Sequence, residues 1–157
     1  MGRWLCIDFG ERRTGLAVGQ DDTGLAFPRP AIDTRNVPDP VAAIVATAAE
    51  EGARGLVLGL PLHPDGRPSE KTAAVRRFAA ALSTRCALPL FLPDETWSTV
   101  EAKERTAHWS AKRKKNEKSA LDSAAAAVIL QRFFETPEGG RVRFAPEGNP
   151  TDERRNP

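Results

Sequence analysis

The sequence predicts an α/β domain with a mixed β-sheet and helices on both of its faces. Two features of the chain support this prediction. Its first third holds three strand-like segments in succession, and the rest alternates helical with strand-like segments. A strand meander followed by alternating units gives antiparallel pairs on one side of the sheet and parallel pairs on the other.

The strands are recognised as short apolar segments bounded by turn residues. Arg3 to Asp8 is apolar in both of its alternating sets, which predicts a central strand covered on both faces. Pro28 and Pro30 confine the third strand to an edge, because proline has no backbone N–H to donate. The other predicted strands are Thr14 to Gln20, Leu25 to Ile32, Gly55 to Leu60 and Leu88 to Leu92.

The helices are recognised from apolar periodicity and from their caps. One helix stops at Gly52, a second begins after Ser69 as its N-cap, and a third opens with the capping box Ser98-Thr99-Val100-Glu101. The predicted helices are Pro40 to Glu51, Ser69 to about Ser83, Ser98 to about Trp109 and Leu121 to Glu135.

A chain of 157 residues has room for one core, so residues 1–135 are predicted to form a single domain. Beyond Thr136 the composition changes to proline, glycine and charge, which predicts a poorly ordered tail over residues 136–157.

The composition indicates neither a membrane protein nor a secreted one. No run of 18 apolar residues occurs, and the segment after Met1 lacks the apolar region of a signal peptide. Cys6 and Cys86 lie far apart, which is typical of reduced thiols and argues against a disulfide framework or a zinc site. We therefore expect a cytoplasmic protein.

Positive charge is concentrated in one part of the chain. The net charge is only +2, but seven Lys/Arg residues against two Glu between Lys103 and Lys118 give a local balance of 7 − 2 = +5. Such a cluster suits a phosphate backbone, because neutralising it releases condensed counterions. A solvated linker is the alternative explanation, and for a charge run alone it is the commoner one.

Two acidic positions stand where predicted strands end. Asp8 closes the first strand, and Asp94-Glu95 follow the strand Leu88 to Leu92. Sites in open α/β sheets lie beyond the carboxyl ends of the strands. If the two strands are parallel neighbours, their carboxylates lie at the same edge of the sheet.

Asp122 is a third acid of interest. It precedes Ala126, Ile129 and Phe133 on one face of a helix, so an apolar face carries a carboxylate. A buried carboxylate needs a cation, a hydrogen-bond donor or a proton. Acids are also common in a first helical turn, so the sequence leaves a cap and a metal ligand equally open for Asp122.

Three carboxylates without a His/Cys cluster suit Mg²⁺ or Mn²⁺ rather than zinc. Two such ions about 4 Å apart can clamp the attacking and leaving oxygens of a phosphodiester. The residues therefore favour metal-dependent phosphodiester chemistry.

Four blocks of the sequence occur in an order that is typical of one protein family. The first, Asp8-Phe9-Gly10-Glu11-Arg12-Arg13-Thr14-Gly15-Leu16-Ala17, is similar to the pattern D-[YF]-G-x-[KR]-R-x-G-x-A of the YqgF/RuvX family. Members of that family are assigned as Holliday junction resolvases and pre-ribosomal-RNA nucleases. The other blocks are Val57 to Leu62 with Asp65-Gly66, Ser69-Glu70 and Val75 to Ala79, then Asp94-Glu95 with Ser98 to Ala102, and finally Lys118 with Asp122 to Gln131.

The resemblance implies an RNase H-like fold with a mixed five-stranded sheet, and it implies an acidic triad of Asp8, Glu95 and Asp122. The chain departs from the family pattern after Asp94-Glu95, where Thr96 and Trp97 replace an arginine and an aliphatic residue. The contribution of that arginine must then come from elsewhere, such as Arg13 or the basic linker. Of the pair Asp94-Glu95, Glu95 is the predicted ligand.

The expected mechanism is hydrolysis by metal-bound water, with Asp8 bridging two ions and with Glu95 and Asp122 each holding one. Asp8 is suited to this because the end of a central strand is a rigid mount. The basic side chains expected to contact the nucleic acid are Arg12, Arg13, Lys112, Arg113, Lys114, Lys115 and Lys118. For Arg12 and Arg13, surface solvation is an equally good explanation.

The sequence leaves two substrates open. A resolvase makes paired cuts across a four-way junction, which implies two sites in a homodimer, whereas a nuclease acting on precursor ribosomal RNA could act as a monomer. A non-catalytic nucleic-acid-binding module on the same scaffold is a further alternative. An actin-like kinase is disfavoured, because 157 residues leave no room for the second half that closes over the nucleotide.

Overall fold

The computed structural model of the chain describes residues 2–63, 65–95 and 117–145, and it describes their side chains except at 95 and 117–122. The elements, in chain order, are β1 (Arg3–Asp8), β2 (Arg13–Gln20), β3 (Leu25–Asp33), α1 (Pro40–Glu51), β4 (Ala53–Leu58), β5 (Leu60–Pro61), α2 (Glu70–Arg85), β6 (Leu90–Phe91), β7 (Asp94–Glu95), α3 (Glu117–Glu135) and a single 3-10 turn at Glu138–Gly140. The predicted helix from Ser98 to about Trp109 lies outside the described residues.

Five strands form a mixed sheet in the order β3-β2-β1-β4-β6. The β1/β2 and β2/β3 pairs are antiparallel, and the β1/β4 and β4/β6 pairs are parallel. The predicted mixed five-stranded sheet is therefore confirmed. β3 lies at an edge of the sheet, as its two prolines predicted, and β5 and β7 form a short parallel pair of their own.

β1 is central because both of its faces are covered. Leu5 and Ile7 are fully buried in the core that contains the residues of α1 and α2, and Cys6 is fully buried in the core that contains those of α3. Helices therefore pack on both faces of the sheet, as predicted. No helix among residues 2–63, 65–95 and 117–145 is long and apolar enough to cross a bilayer.

Local capping explains where α1 and α2 begin and end. The Asp39 side chain accepts a hydrogen bond from the Ala42 N–H, Pro40 occupies the first helical position, and Gly52 ends α1 in the left-handed region with φ of 65°. At the start of α2, Ser69 and Thr72 cap each other reciprocally. Both predicted helix starts are confirmed.

The predicted start of a poorly ordered tail at residue 136 is wrong. The Leu92 N–H donates to the Val142 carbonyl at 2.9 Å, and the Phe144 N–H donates to the Leu90 carbonyl at 2.8 Å. Ala145 is 5% exposed. This segment adds its backbone to the open edge of β6, which supplies hydrogen-bonding partners that composition alone does not reveal. Residues 146–157 lie outside the described part.

Replacing Asp39 by Asn tests the ion pair that joins α1 to α2. Arg85 donates to both Asp39 carboxylate oxygens, at 3.0 and 2.9 Å, and lowers the pKa of Asp39 below its usual 3.8. Because the folded-state pKa is lowered, the pair stabilises the protein above about pH 4, and this contribution is lost as the pH falls through the lowered pKa.

Asparagine keeps the cap but removes the charge, so we expect Asp39→Asn to be slightly less stable than the wild type near neutral pH. The difference should shrink as the pH falls below about 4 and vanish once Asp39 is protonated in the folded state. Thermal unfolding over a pH series measures this, and a difference that does not change with pH would contradict the assignment.

Candidate active site

Asp8 stands at the carboxyl end of the central strand, where three segments of chain meet. It is half-buried and is the register partner of Gly15 in β2. On the other side of β1, Ile7 pairs with Leu58, and the Gly59 N–H donates to the Ile7 carbonyl at 3.3 Å. Asp8 is thus fixed from both sides at the rim of the sheet.

The turn after Asp8 is held tightly. A Cβ atom on Gly10 would lie 2.2 Å from the Arg13 carbonyl oxygen, so the turn needs glycine there. The Thr14 hydroxyl accepts from the Gly10 N–H at 3.5 Å and donates to the Gly10 carbonyl at 3.3 Å. The Thr34 hydroxyl donates to the Glu11 carbonyl at 2.8 Å and to the Arg12 carbonyl at 3.0 Å, which ties the turn to the end of β3.

The two arginines of this turn differ in their surroundings. Arg12 is exposed, whereas Arg13 is half-buried and is the register partner of Asp33 across β2 and β3. The pKa of Asp33 is lowered, chiefly by its hydrogen bonds from Arg35 and to a smaller extent by the charge of Arg13. Of the two predicted phosphate contacts, Arg12 is therefore the more accessible.

Glu95 lies on the same rim as Asp8, judged from the backbone. In the β5/β7 pair its register partner is Pro61, and the Leu60 N–H donates to the Pro93 carbonyl at 2.9 Å. β5 follows directly after Gly59, which is bonded to β1. The strands that lead to Asp8 and to Glu95 run parallel, but they are not the neighbours expected from the sequence, because β4 lies between them. Both acidic positions still follow carboxyl ends at one edge of the sheet.

The position of Asp122 in α3 decides against the cap explanation. α3 already runs at Glu117 rather than starting at the predicted Leu121, so Asp122 lies in its second turn, where the backbone N–H groups have partners within the helix. Ala126, Ile129 and Phe133, at helical spacing from position 122, are all at most 3% exposed. Position 122 thus belongs to the face of α3 that packs on the sheet.

Ser123, in the second turn of α3, ties this helix to the sheet near the partner of Asp8. Its hydroxyl donates to the Arg29 carbonyl at 2.5 Å and accepts from the Leu16 N–H at 3.3 Å. Leu16 follows Gly15, the register partner of Asp8. The backbone at Asp122 is therefore tied to the same corner of the sheet as Asp8, although 114 residues separate them in sequence.

The three acid-bearing segments thus converge at one rim, and their chemistry fits a hard divalent cation. The side chains at 95 and 122 lie outside the described part, and among the described side chains no group of three His, Cys, Asp or Glu could hold a metal. Cys6, the thiol nearest to Asp8 in sequence, is fully buried in the core. The predicted donor set is therefore carboxylate oxygen alone, which suits Mg²⁺ or Mn²⁺.

A groove of about 540 Å³ adjoins the turn after Asp8. It lies between that turn and the first turns of α2, and two basic side chains, Lys71 and Arg77, reach it. The sequence prediction missed both, because their role depends on the turn lying next to α2. The lining residues are Phe9, Glu11, Glu70, Lys71, Ala73, Ala74 and Arg77. In the predicted basic linker, residues 112–116 and the Lys118 side chain lie outside the described part.

Comparisons with known proteins agree with the family resemblance. A family model described as RuvX, Holliday junction resolvase, matches residues 2–136. A protein of Chromobacterium violaceum is 42% identical over 133 residues, covering 85% of this chain and 97% of that protein. One of Dechloromonas aromatica is 38% identical over 137 residues, covering 87% and 93%. The names of both propose a pre-16S rRNA nuclease.

Solved structures show the same fold. RuvC of Thermus thermophilus in complex with a Holliday junction substrate has a TM-score of 0.58 at 11% identity, covering 92% of this chain and 100% of RuvC. The fowlpox virus Holliday junction resolvase has a TM-score of 0.57 at 7% identity, covering 85% and 98%. At such low identity the likeness concerns the fold alone, and the predicted RNase H-like fold is confirmed.

Asp122→Asn separates a metal ligand from a structural acid by its effect on stability. If Asp122 is a metal ligand, it clusters with two other carboxylates that repel it when no metal is bound, so removing its charge should raise the free energy of unfolding in chelator by about 1 kcal/mol. Asp39→Ala, at a true N-cap, provides the contrast, because it removes the cap and should lower the free energy of unfolding. Urea unfolding measures both, and a large loss of stability in Asp122→Asn would show that Asp122 is structural.

Proposed function

Because this chain belongs to the RuvX family, we propose that it is a nuclease that hydrolyses phosphodiester bonds of structured nucleic acid with divalent metal ions. The observation that carries the proposal is the convergence of the Asp8, Glu95 and Asp122 segments at one rim of the sheet. These positions come from three distant parts of the chain, and a cluster of acids has a physical use if it binds cations.

Asp8, Glu95 and Asp122 would hold the Mg²⁺ or Mn²⁺ ions. Bound there, the ions would supply an activated water and neutralise charge on the phosphate. Asp8 is a suitable ligand because β1 is hydrogen-bonded on both sides and buried on both faces. Arg12, exposed on the turn after Asp8, would contact a phosphate next to the one that is cut.

The groove beside Asp8 would receive the strand that leads to the scissile phosphate. Lys71 and Arg77 are both exposed and lie on the α2 wall, and Ala73 and Ala74 leave room for a backbone between them. Glu11 and Glu70 offset the two cations, so the groove would contribute positional contacts more than net attraction. Phosphate contacts of this kind set the register of a nucleic acid on its protein.

The substrate we propose first is precursor ribosomal RNA, because that is the activity that the names of the similar relatives propose. A four-way DNA junction is the second candidate, since the matching family model is described as a Holliday junction resolvase. If the substrate is a four-way junction, we also propose a homodimer, because paired cuts need two active sites. In either case we propose that the protein acts in the cytoplasm, as the cysteines and composition predict.

A cleavage assay with Asp8→Asn tests the catalytic proposal. Purified protein is incubated with a labelled ribosomal RNA precursor and a labelled four-way DNA junction, each with Mg²⁺, Mn²⁺ or a chelator. We expect one of the two substrates to be cleaved, and only when metal is present. The cleavage rate should fall by about 10²-fold or more in Asp8→Asn, because several kcal/mol of charge stabilisation is lost.

Binding of the same labelled substrates, measured in chelator, is the control for this assay, and Asp8→Asn should bind as well as the wild type. If wild type and variant bind equally and neither cuts, the protein is a binding module. Gel filtration with and without the junction distinguishes a monomer from the homodimer that the junction reading requires.

Lys71→Ala and Arg77→Ala test the groove. Each should raise KM severalfold with a small effect on kcat, and each should reduce the slope of log affinity against log salt by about 1. Arg76→Ala is the matched control, because Arg76 is an exposed arginine on α2 that does not line the groove. If all three variants behave alike, the groove plays no specific part in binding.

A further inference from the structure

We propose that three buried hydroxyls, those of Thr14, Thr72 and Ser123, are positioning residues that fix the three acid-bearing segments relative to one another. The inference rests on the proposed function and adds a supporting frame to it. Among the described residues these three are the only polar side chains that are buried, at 0%, 3% and 1% exposure. The rest of the described buried core is apolar.

Thr14 braces the segment of Asp8. Its hydroxyl bonds both the N–H and the carbonyl of Gly10, which closes the turn that follows Asp8. Thr14 directly precedes the part of β2 that pairs with β1, because the next residue, Gly15, is the partner of Asp8. One hydroxyl therefore ties the turn after Asp8 to the strand that pairs with it.

Thr72 braces the segment of Glu95. Its hydroxyl donates to the Pro61 carbonyl and accepts from the Ser69 N–H at 2.8 Å. Pro61 is the register partner of Glu95 in the β5/β7 pair. The hydroxyl thus anchors β5 to the capped start of α2, and β5 in turn aligns the backbone at Glu95.

Ser123 braces the segment of Asp122. The register of β2 against β3 shifts between Thr14 and Leu16, an irregularity of the ladder. Ser123 bridges the two strands there, accepting from the Leu16 N–H and donating to the Arg29 carbonyl. The hydroxyl joins the two strands at this irregularity and bonds the first described side chain of α3 to the sheet.

A directional bond is what such a site needs. Apolar packing is non-directional, whereas metal ligands must be held to within about 0.5 Å. Burying a hydroxyl without a hydrogen bond costs free energy, so a buried hydroxyl is expected where its hydrogen bonds contribute to structure or function. Three hydroxyls of this kind, each next to a different acid-bearing segment, are explained together if they serve one site.

The test removes each hydroxyl separately with Thr14→Val, Thr72→Val and Ser123→Ala. The Mg²⁺ concentration for half-maximal cleavage should rise about 10-fold or more in each, as for residues that orient metal ligands. Thr14→Ser and Thr72→Ser keep the hydroxyl and lose a methyl group, so they should restore the metal response although they are also destabilised. The metal response is judged separately at each of the three positions. If Thr14→Val or Thr72→Val does not fold, Thr14→Cys or Thr72→Cys is used in its place.

Thr47→Val is the matched control. The Thr47 hydroxyl donates to the Ala43 carbonyl within α1, away from all three acid-bearing segments. It should lose stability without a change in the metal response. If Thr47→Val shifts the metal response as much as the other variants, or if the serine variants fail to restore it, the hydroxyls are merely structural.

Metal binding without substrate separates this inference from the proposed function. The rise in melting temperature on adding Mn²⁺ is measured for wild type and variants. A wild type without that rise and without cleavage overturns both proposals. A wild type that shows both, with variants whose metal response is unchanged, overturns the hydroxyl frame and leaves the nuclease proposal standing.

Discussion

The pairing of β1 on both sides is the constraint on which the rest of the structure depends. β2 bonds it antiparallel and β4 bonds it parallel, so the change from meander to alternating topology takes place at this strand. Because Leu5, Cys6 and Ile7 are fully buried, β1 cannot shift without exposing core on one face or the other. Its carboxyl end is therefore well placed to hold one group still while other segments are brought to it.

The two faces of the sheet are packed differently around β1. On one face, α1 and α2 pack on the sheet through larger aliphatic side chains of their own, such as Ile44 and Leu82. On the other face, α3 approaches through small residues: Ala17 and Ala26 meet Ala126 in one cluster. Small side chains let a helix lie close to a sheet, which brings α3 near enough for the Ser123 hydroxyl to reach backbone atoms of two strands.

The sequence predicted what depends on local pattern and missed what depends on distant neighbours. The bounds of β1 and α1 agree at both ends, because a doubly apolar strand and a proline–glycine bracket are local signals. The backbone pairing of Val142 and Phe144 depends on β6 leaving an open edge, which no local signal contains. Of the predicted site, the structure brings the three segments together on the backbone, whereas the position of Lys71 in the groove follows from the fold alone.

Several aspartates of the described part stabilise the fold through arginine pairs. Four described aspartates with lowered pKa are each paired with an arginine: Asp21 with Arg54, Asp33 with Arg35, Asp39 with Arg85 and Asp65 with Arg67. A carboxylate paired in this way has its counter-charge within the chain, and a metal ion would have to displace it. The buried supports of the acid-bearing segments are neutral hydroxyls instead. A lysine or arginine in their place would fix the same backbone, but it would also supply the positive charge that the acids would otherwise draw from a metal. A neutral brace would hold these segments in position without adding a positive charge of its own.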